Sequence, residues 1–110
     1  MAKPGNFIFN TTEIKPINVL KKALFTSEHL SYAEIFFFKN SADQYVFYKI
    51  RLENVLVKHV TDGFNNTTGA FTHQIELQAA RIGWTFYSAS NTVANKFGWD
   101  YVQNAPWTNF

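Results

Sequence analysis

The chain has 110 residues, 46% of them hydrophobic and 18% aromatic, with ten Lys and Arg against eight Asp and Glu. That is the size of one domain, with apolar side chains enough for a core and some left for a partner. The scattered, nearly balanced charge lacks the basic stripe of a nucleic-acid binder, and the absence of cysteine excludes a disulfide framework, a thiolate nucleophile and cysteine-ligated zinc.

No segment approaches the roughly 20 apolar residues that cross a bilayer, so no membrane insertion is expected. The opening MAKPGNFIF has no apolar stretch of Sec-signal length. Residues 1–15 read as an irregular arm, in which Phe7, Ile8 and Phe9 form an edge strand or pack on another subunit. Pro16 suits the first turn of a helix, where its missing N–H is not needed. Ile17, Leu20 and Leu24 then share one face, broadened by Val19, Ala23 and Phe25, with Lys21 and Lys22 pointing away. A helix over 16–25 is too short to stand alone and has to dock on a sheet.

Residues 32–102 read as the sheet. YAEIFFFK, Tyr32 to Lys39, is a strand with neither face clearly polar. NSAD, Asn40 to Asp43, signals a hairpin turn, and the next strand begins near Gln44. In it Ile50 and Leu52 oppose Lys49, Arg51 and Glu53. Beyond Asn54 the apolar positions change phase, to Val55 and Val57, which predicts a bulge or bend at Glu53–Asn54. Thr61 to Thr72 reads as a loop by composition. The following strand places Ile75, Leu77 and Ala79 on one face, then shifts so that Ile82, Trp84 and Phe86 align. Ser88 to Asn95 reads as a second loop and Phe97 to Val102 as the last strand. Residues 103–110 read as a tail, loose unless something binds it. The expectation is a mainly β fold: a small antiparallel β-barrel or sandwich with one short flanking helix.

Chemistry is sparse. His29, His59 and His73 lie in different elements without HExxH or HxH spacing. His59 and His73 flank one loop near Asp62, the one place where a metal site could form; strand-end histidines are the plainer reading. Glu53 and Glu76 have Lys49, Arg51 or Arg81 as natural cross-strand partners rather than each other across a cleft. No GxSxG, GxGxxG or phosphate loop occurs, so neither a catalytic residue nor a cofactor is expected. Gly63 and Gly69 read as turn glycines. Gly83 and Gly98 precede Trp84 and Trp99 inside strand-like runs, where a glycine marks a bulge or makes room for a large ring from the facing strand. Trp84, Trp99, Gly83, Gly98 and Asn54 are therefore the candidate structural positions.

Four segments together resemble the tube protein of type VI secretion, the Hcp family (hemolysin-coregulated protein). FYKIRLENVLVKHV, Phe47 to Val60, is similar to that family's Tyr-x-Lys-Ile-x-Leu-x-Asn/Asp-Val-x-Val strand. LKKALFTSEHLSYAEIFF, Leu20 to Phe37, resembles its helix, helix exit and next strand. IELQAARIGWTFY, Ile75 to Tyr87, resembles Val-x-Leu-x-Phe-x-x-Ile-x-Trp-x-Tyr. FGWDYVQN, Phe97 to Asn104, is similar to the Gly-Trp-Asp/Asn-x-x-x-Asn ending. The likeness covers roughly residues 7–104 and begins inside the family pattern. It implies a chain lacking the family's N-terminal strands and extended loop, with its barrel incomplete on that side.

The resemblance implies hexameric rings that stack into a tube, with sheath, spike and effector proteins as partners. It also implies a bacterial cytoplasmic origin and export by the secretion machine without a Sec signal. The rival reading is a small monomeric β-barrel module that binds a sugar or peptide through exposed aromatics.

Overall fold

A computed structural model describes residues 6–12, 15–39 and 45–110. The elements in chain order are β1 (Asn6–Thr11), α1 (Ile17–Thr26), β2 (Leu30–Phe38), β3 (Val46–Asn65), β4 (Ala70–Ala89), β5 (Thr92–Asp100) and β6 (Ala105–Pro106). The fold is mainly β and antiparallel, with one helix, as the alternation of apolar and polar side chains dictates. Strand order is β2-β3-β4-β5-β6, with β1 on β4. This path is open among the described residues: the expected β class is present, without closure into a barrel. The turn expected at Asn40–Asp43 and the strand start near Gln44 lie outside the described residues. The Lys39 N–H donates to the Tyr45 carbonyl at 2.9 Å and joins β2 to β3.

Two compact units share the long strands. One contains Tyr32–Glu53 and Ala80–Phe110. Its core is built from Ile50, Leu52, Ile82 and Trp107, with Thr85 and Asp100 also buried. The other contains Gly5–Ser31 and Asn54–Ala79. There Ile17 and Ala23 of α1 are buried, as are Val55 and Val57 of β3 and Ile75, Leu77 and Ala79 of β4. β1 pairs antiparallel with β4, Phe7 opposite Leu77 and Phe9 opposite Ile75, so the Phe7–Phe9 segment is a strand of the same six-stranded sheet, off its main path.

The change of phase in β3 has a visible cause. Leu52 and Val55 are both buried although three residues apart, and Asn54 between them takes φ 52°. A left-handed residue turns the strand by one step, and Asn tolerates that conformation better than most residues. Its side-chain oxygen also lies 3.1 Å from His29 Nδ1. Asn54→Ala is expected to destabilise by about 1–2 kcal/mol and Asn54→Gly by less, as read from urea unfolding midpoints.

Several expectations need correction. The helix runs from Ile17, with Pro16 just before it, to a C-cap at Ser27, whose left-handed φ of 55° turns the following Glu28 N–H onto the Ala23 carbonyl at 3.2 Å. Val19 and Phe25 do not broaden the apolar face: Phe25 is 83% exposed. Lys21 does not point away, because its Nζ lies 2.6 Å from Asp62 Oδ2. Thr61–Thr72 is not a loop. The hairpin continues through it to a turn after Asn65, closed by the Gly69 N–H on the Asn65 carbonyl at 2.7 Å. Gly69, at φ 70°, is a turn glycine, whereas Gly63 sits within β3. Ser88–Asn95 likewise shrinks to a tight turn at Ser90–Asn91, with Asn91 at φ 57°. The tail is not loose, for reasons given next.

Candidate functional site

The glycines define a slot. Gly83 of β4 and Gly98 of β5 face each other in the antiparallel register. A Cβ built on Gly83 would stand 2.6 Å from the Phe110 ring. One built on Gly98 would collide with the Trp107 carbonyl oxygen and stand 2.5 Å from the same ring. The room is thus taken by residues of the tail rather than by a tryptophan of the facing strand. Four interactions seat the tail. Ala105 and Pro106 pair with Asp100 and Trp99. The Trp107 N–H donates to the Gly98 carbonyl at 2.9 Å. Lys96 Nζ donates to the carbonyls of Thr108 and Phe110 at 3.3 and 3.2 Å. The Trp107 and Phe110 rings pack at a centroid distance of 4.6 Å. Asp100 shapes the turn before it, accepting from the Val102 and Gln103 N–H groups at 2.9 and 3.0 Å.

The three tryptophans differ from the order the sequence suggests. Trp107 is the buried one, 8% exposed. Trp84 and Trp99 are half-buried. Trp84 stacks on its cross-strand partner Phe97 at 6.0 Å, and Phe86, expected on the same inner face, is 49% exposed. The signal for Trp107 was its residue type; its position next to a proline in a polar tail concealed it.

A ladder of alternating charge crosses the first unit. Glu34 of β2 takes Lys49 at 3.5 Å and Arg51 at 3.3 Å. Arg51 reaches Glu53 at 2.9 Å, and Glu53 takes Arg81 of β4 at 3.0 Å. Arg81 stands 3.9 Å from Asp100 of β5. Glu53 thus has one of the cross-strand partners expected for it, Arg81, with Arg51 two residues back on its own strand, while Glu76 accepts from Asn6 instead. Each exposed pair would be worth little, but a half-buried network fixes strand register. On the same strands Phe37, Tyr48 and Phe86 form an aromatic row, with centroids 5.4 and 4.4 Å apart. Burial there pushes the Tyr48 hydroxyl up from its ordinary pKa.

In the second unit Asp62 holds two partners: Lys21 Nζ at 2.6 Å and His73 Nδ1 at 2.8 Å. These hydrogen bonds, that of Lys21 first, keep its carboxyl below the ordinary range. His73 is buried and its Nε2 has no partner among the described residues. The link therefore holds above the ordinary carboxylate pKa of about 3.9 and fades as pH falls through the lower folded value. Melting temperatures taken from about pH 5 to about pH 2 should fall more steeply in the parent than in Asp62→Asn. His59 is exposed, and no group of three metal-ligating side chains comes together among the described residues.

What remains is surface. Phe36 and Phe38 of β2, Tyr45, and Tyr87 of β4 line an open cleft of about 370 Å³ together with Glu34 and Lys49. Phe64 and Phe71 stand exposed at the hairpin tip. The arrangement offers aromatic contact and hydrogen-bonded strands rather than a converging set of acid, base and nucleophile.

Comparison with known proteins agrees with that picture. The family profile described as "Type VI secretion system effector, Hcp" matches residues 15–86. No curated protein matches the chain. Among solved structures, the Hcp1 protein of an E. coli pathovar aligns with TM-score 0.72 and 23% identity over 88% of this chain. Hcp1 from Salmonella typhimurium aligns with TM-score 0.78 and 16% identity over 93% of the chain and 72% of its own length. Hcp3 from Pseudomonas aeruginosa aligns with TM-score 0.69 and 20% identity, over 88% of this chain and 63% of that one. The chain spans 64% of the length of the E. coli protein, under two thirds. With the profile covering more than half of its residues, the chain belongs to the Hcp family of type VI secretion.

Proposed function

We propose that the chain is a structural subunit of a type VI secretion tube, acting as a single Hcp-like domain. In this reading six copies close a ring, and rings stack into a hollow tube. The tube leaves the bacterial cytoplasm with effectors, driven by sheath and spike components. The observation that carries it is the likeness of nearly the whole described chain to Hcp structures from several bacteria. The surface is also suited to assembly: large apolar side chains stay exposed on β2, on the hairpin tip and on β5. Cyclic closure needs each copy to present one patch and receive it on another, and an interface of more than about 1,000 Å² in total. Trp84, Trp99, Gly83, Gly98 and Asn54 serve the fold rather than any chemistry. The family is one of structural tube proteins, so activity lies with partners and passengers.

Negative-stain electron microscopy tests the reading. Sixfold ring projections, stacked at high concentration, are expected. A field of single particles of monomer size would support the rival, a monomeric module using the aromatic cleft for a sugar or peptide.

A further inference from the structure

Two surface features present aromatic side chains to solvent. The first is the tip of the β3–β4 hairpin. Phe64 and Phe71 lean on each other with centroids 4.7 Å apart, yet each is 53% exposed. The residues between them are Asn, Thr, Gly and Ala, without charge. The nearest anion, Asp62, has both oxygens engaged, by Lys21 and by His73. The tip is a neutral aromatic knob held on two hydrogen-bonded strands.

The second is the cleft walled by Phe36, Phe38, Tyr45 and Tyr87. Its volume of about 370 Å³ falls in the range of concave sites that enclose a compact guest. Its two charged residues, Glu34 and Lys49, already pair with each other. A charged guest would compete with that pair, whereas an uncharged aromatic one would leave it intact and add ring-on-ring contact.

We propose that the Phe64–Phe71 knob of one copy docks in the Phe36–Tyr87 cleft of a second copy. Knob and cleft are different surfaces, so the contact is heterologous: every copy offers one and receives one, and the contact propagates to a ring or a filament. Aromatic anchors seated in a desolvated pocket are the side chains that dominate interface energy. The proposal rests on the assembly reading above and adds the contact that would join the copies.

The absence of cysteine makes the test clean. Phe71→Cys in one preparation and Tyr87→Cys in another are mixed under mild oxidation. A disulfide-linked dimer near twice 12.7 kDa is expected in the mixture, well above the yield of either variant alone. Adding Phe64→Asp to the first variant, or Phe36→Asp to the second, should cut that yield at least about tenfold. Should Phe71→Cys fail to fold, Asn66→Cys at the same tip takes its place. A mixture that links no better than its components, or a yield indifferent to Phe64→Asp, overturns the contact. The mass of the parent protein separates the two readings. A ring without cross-linking removes this contact and leaves the tube reading. Cross-linking by a protein that scatters as a monomer keeps the contact and removes the ring. A monomer without cross-linking removes both.

Discussion

Trp107→Ala is expected to destabilise the protein by about 3–5 kcal/mol, the range for emptying a core site of a large aromatic side chain. Trp107 is the largest buried side chain in its unit, and its loss also uncovers the Phe110 ring that packs on it and the Arg81 guanidinium 5.6 Å away. For a chain of this size the midpoint of thermal unfolding should fall by at least about 12 °C. Trp84→Ala and Trp99→Ala should each cost less, since both rings are half-buried. Differential scanning calorimetry of the three variants ranks them. A loss below about 1 kcal/mol at Trp107 would mean that the tail does not seat in solution.

The second large effect is expected at Gly98. A methyl group there meets a backbone oxygen as well as the Phe110 ring, while at Gly83 it meets only the ring. A ring can swing aside; a carbonyl in a ladder moves only with its strand. Gly98→Ala should therefore cost about 1–3 kcal/mol, and Gly98→Val more. In a Phe110→Ala background the cost at Gly83 should vanish, because alanine is otherwise the better strand residue, by about 0.5–1 kcal/mol. The cost at Gly98 should persist in the same background, through the Trp107 carbonyl. Urea unfolding of this double-mutant set distinguishes the two glycines, and equal rescue at both would contradict the slot geometry.

Local pattern carried much of the fold. Ile17, Leu20 and Leu24 recur with helical period, and α1 forms there. Ile50 and Leu52 against Val55 and Val57 show the change of phase that Asn54 produces by its positive φ. At the hairpin tip and the β4–β5 turn composition is a poor guide to conformation. Thr, Asn and Gly are turn formers in isolation, yet an antiparallel partner extends a ladder through them, since the ladder uses backbone groups alone. Within those two segments only Asn65–Gly69 and Ser90–Asn91 turn, and at the first the side chain shows why: Asn65 Oδ1 accepts from the N–H groups of Thr67 and Thr68.

The tail was illegible for a different reason. Nothing near Trp107 announces burial. Its site exists because Gly83 and Gly98, fifteen residues apart, come into register across two strands, and that register is a tertiary fact. The charge ladder stands between these cases. Glu53 and its arginine partners follow from strand alternation, whereas the Lys21–Asp62–His73 link joins a helix to a hairpin segment whose composition reads as loop.

The mass of the protein in solution, by multi-angle light scattering at physiological salt, tests the central claim most directly. Assembly of these strands and aromatic surfaces into a ring predicts a particle near 76 kDa, six times 12.7 kDa. A single species at 12.7 kDa that persists as concentration rises would contradict it.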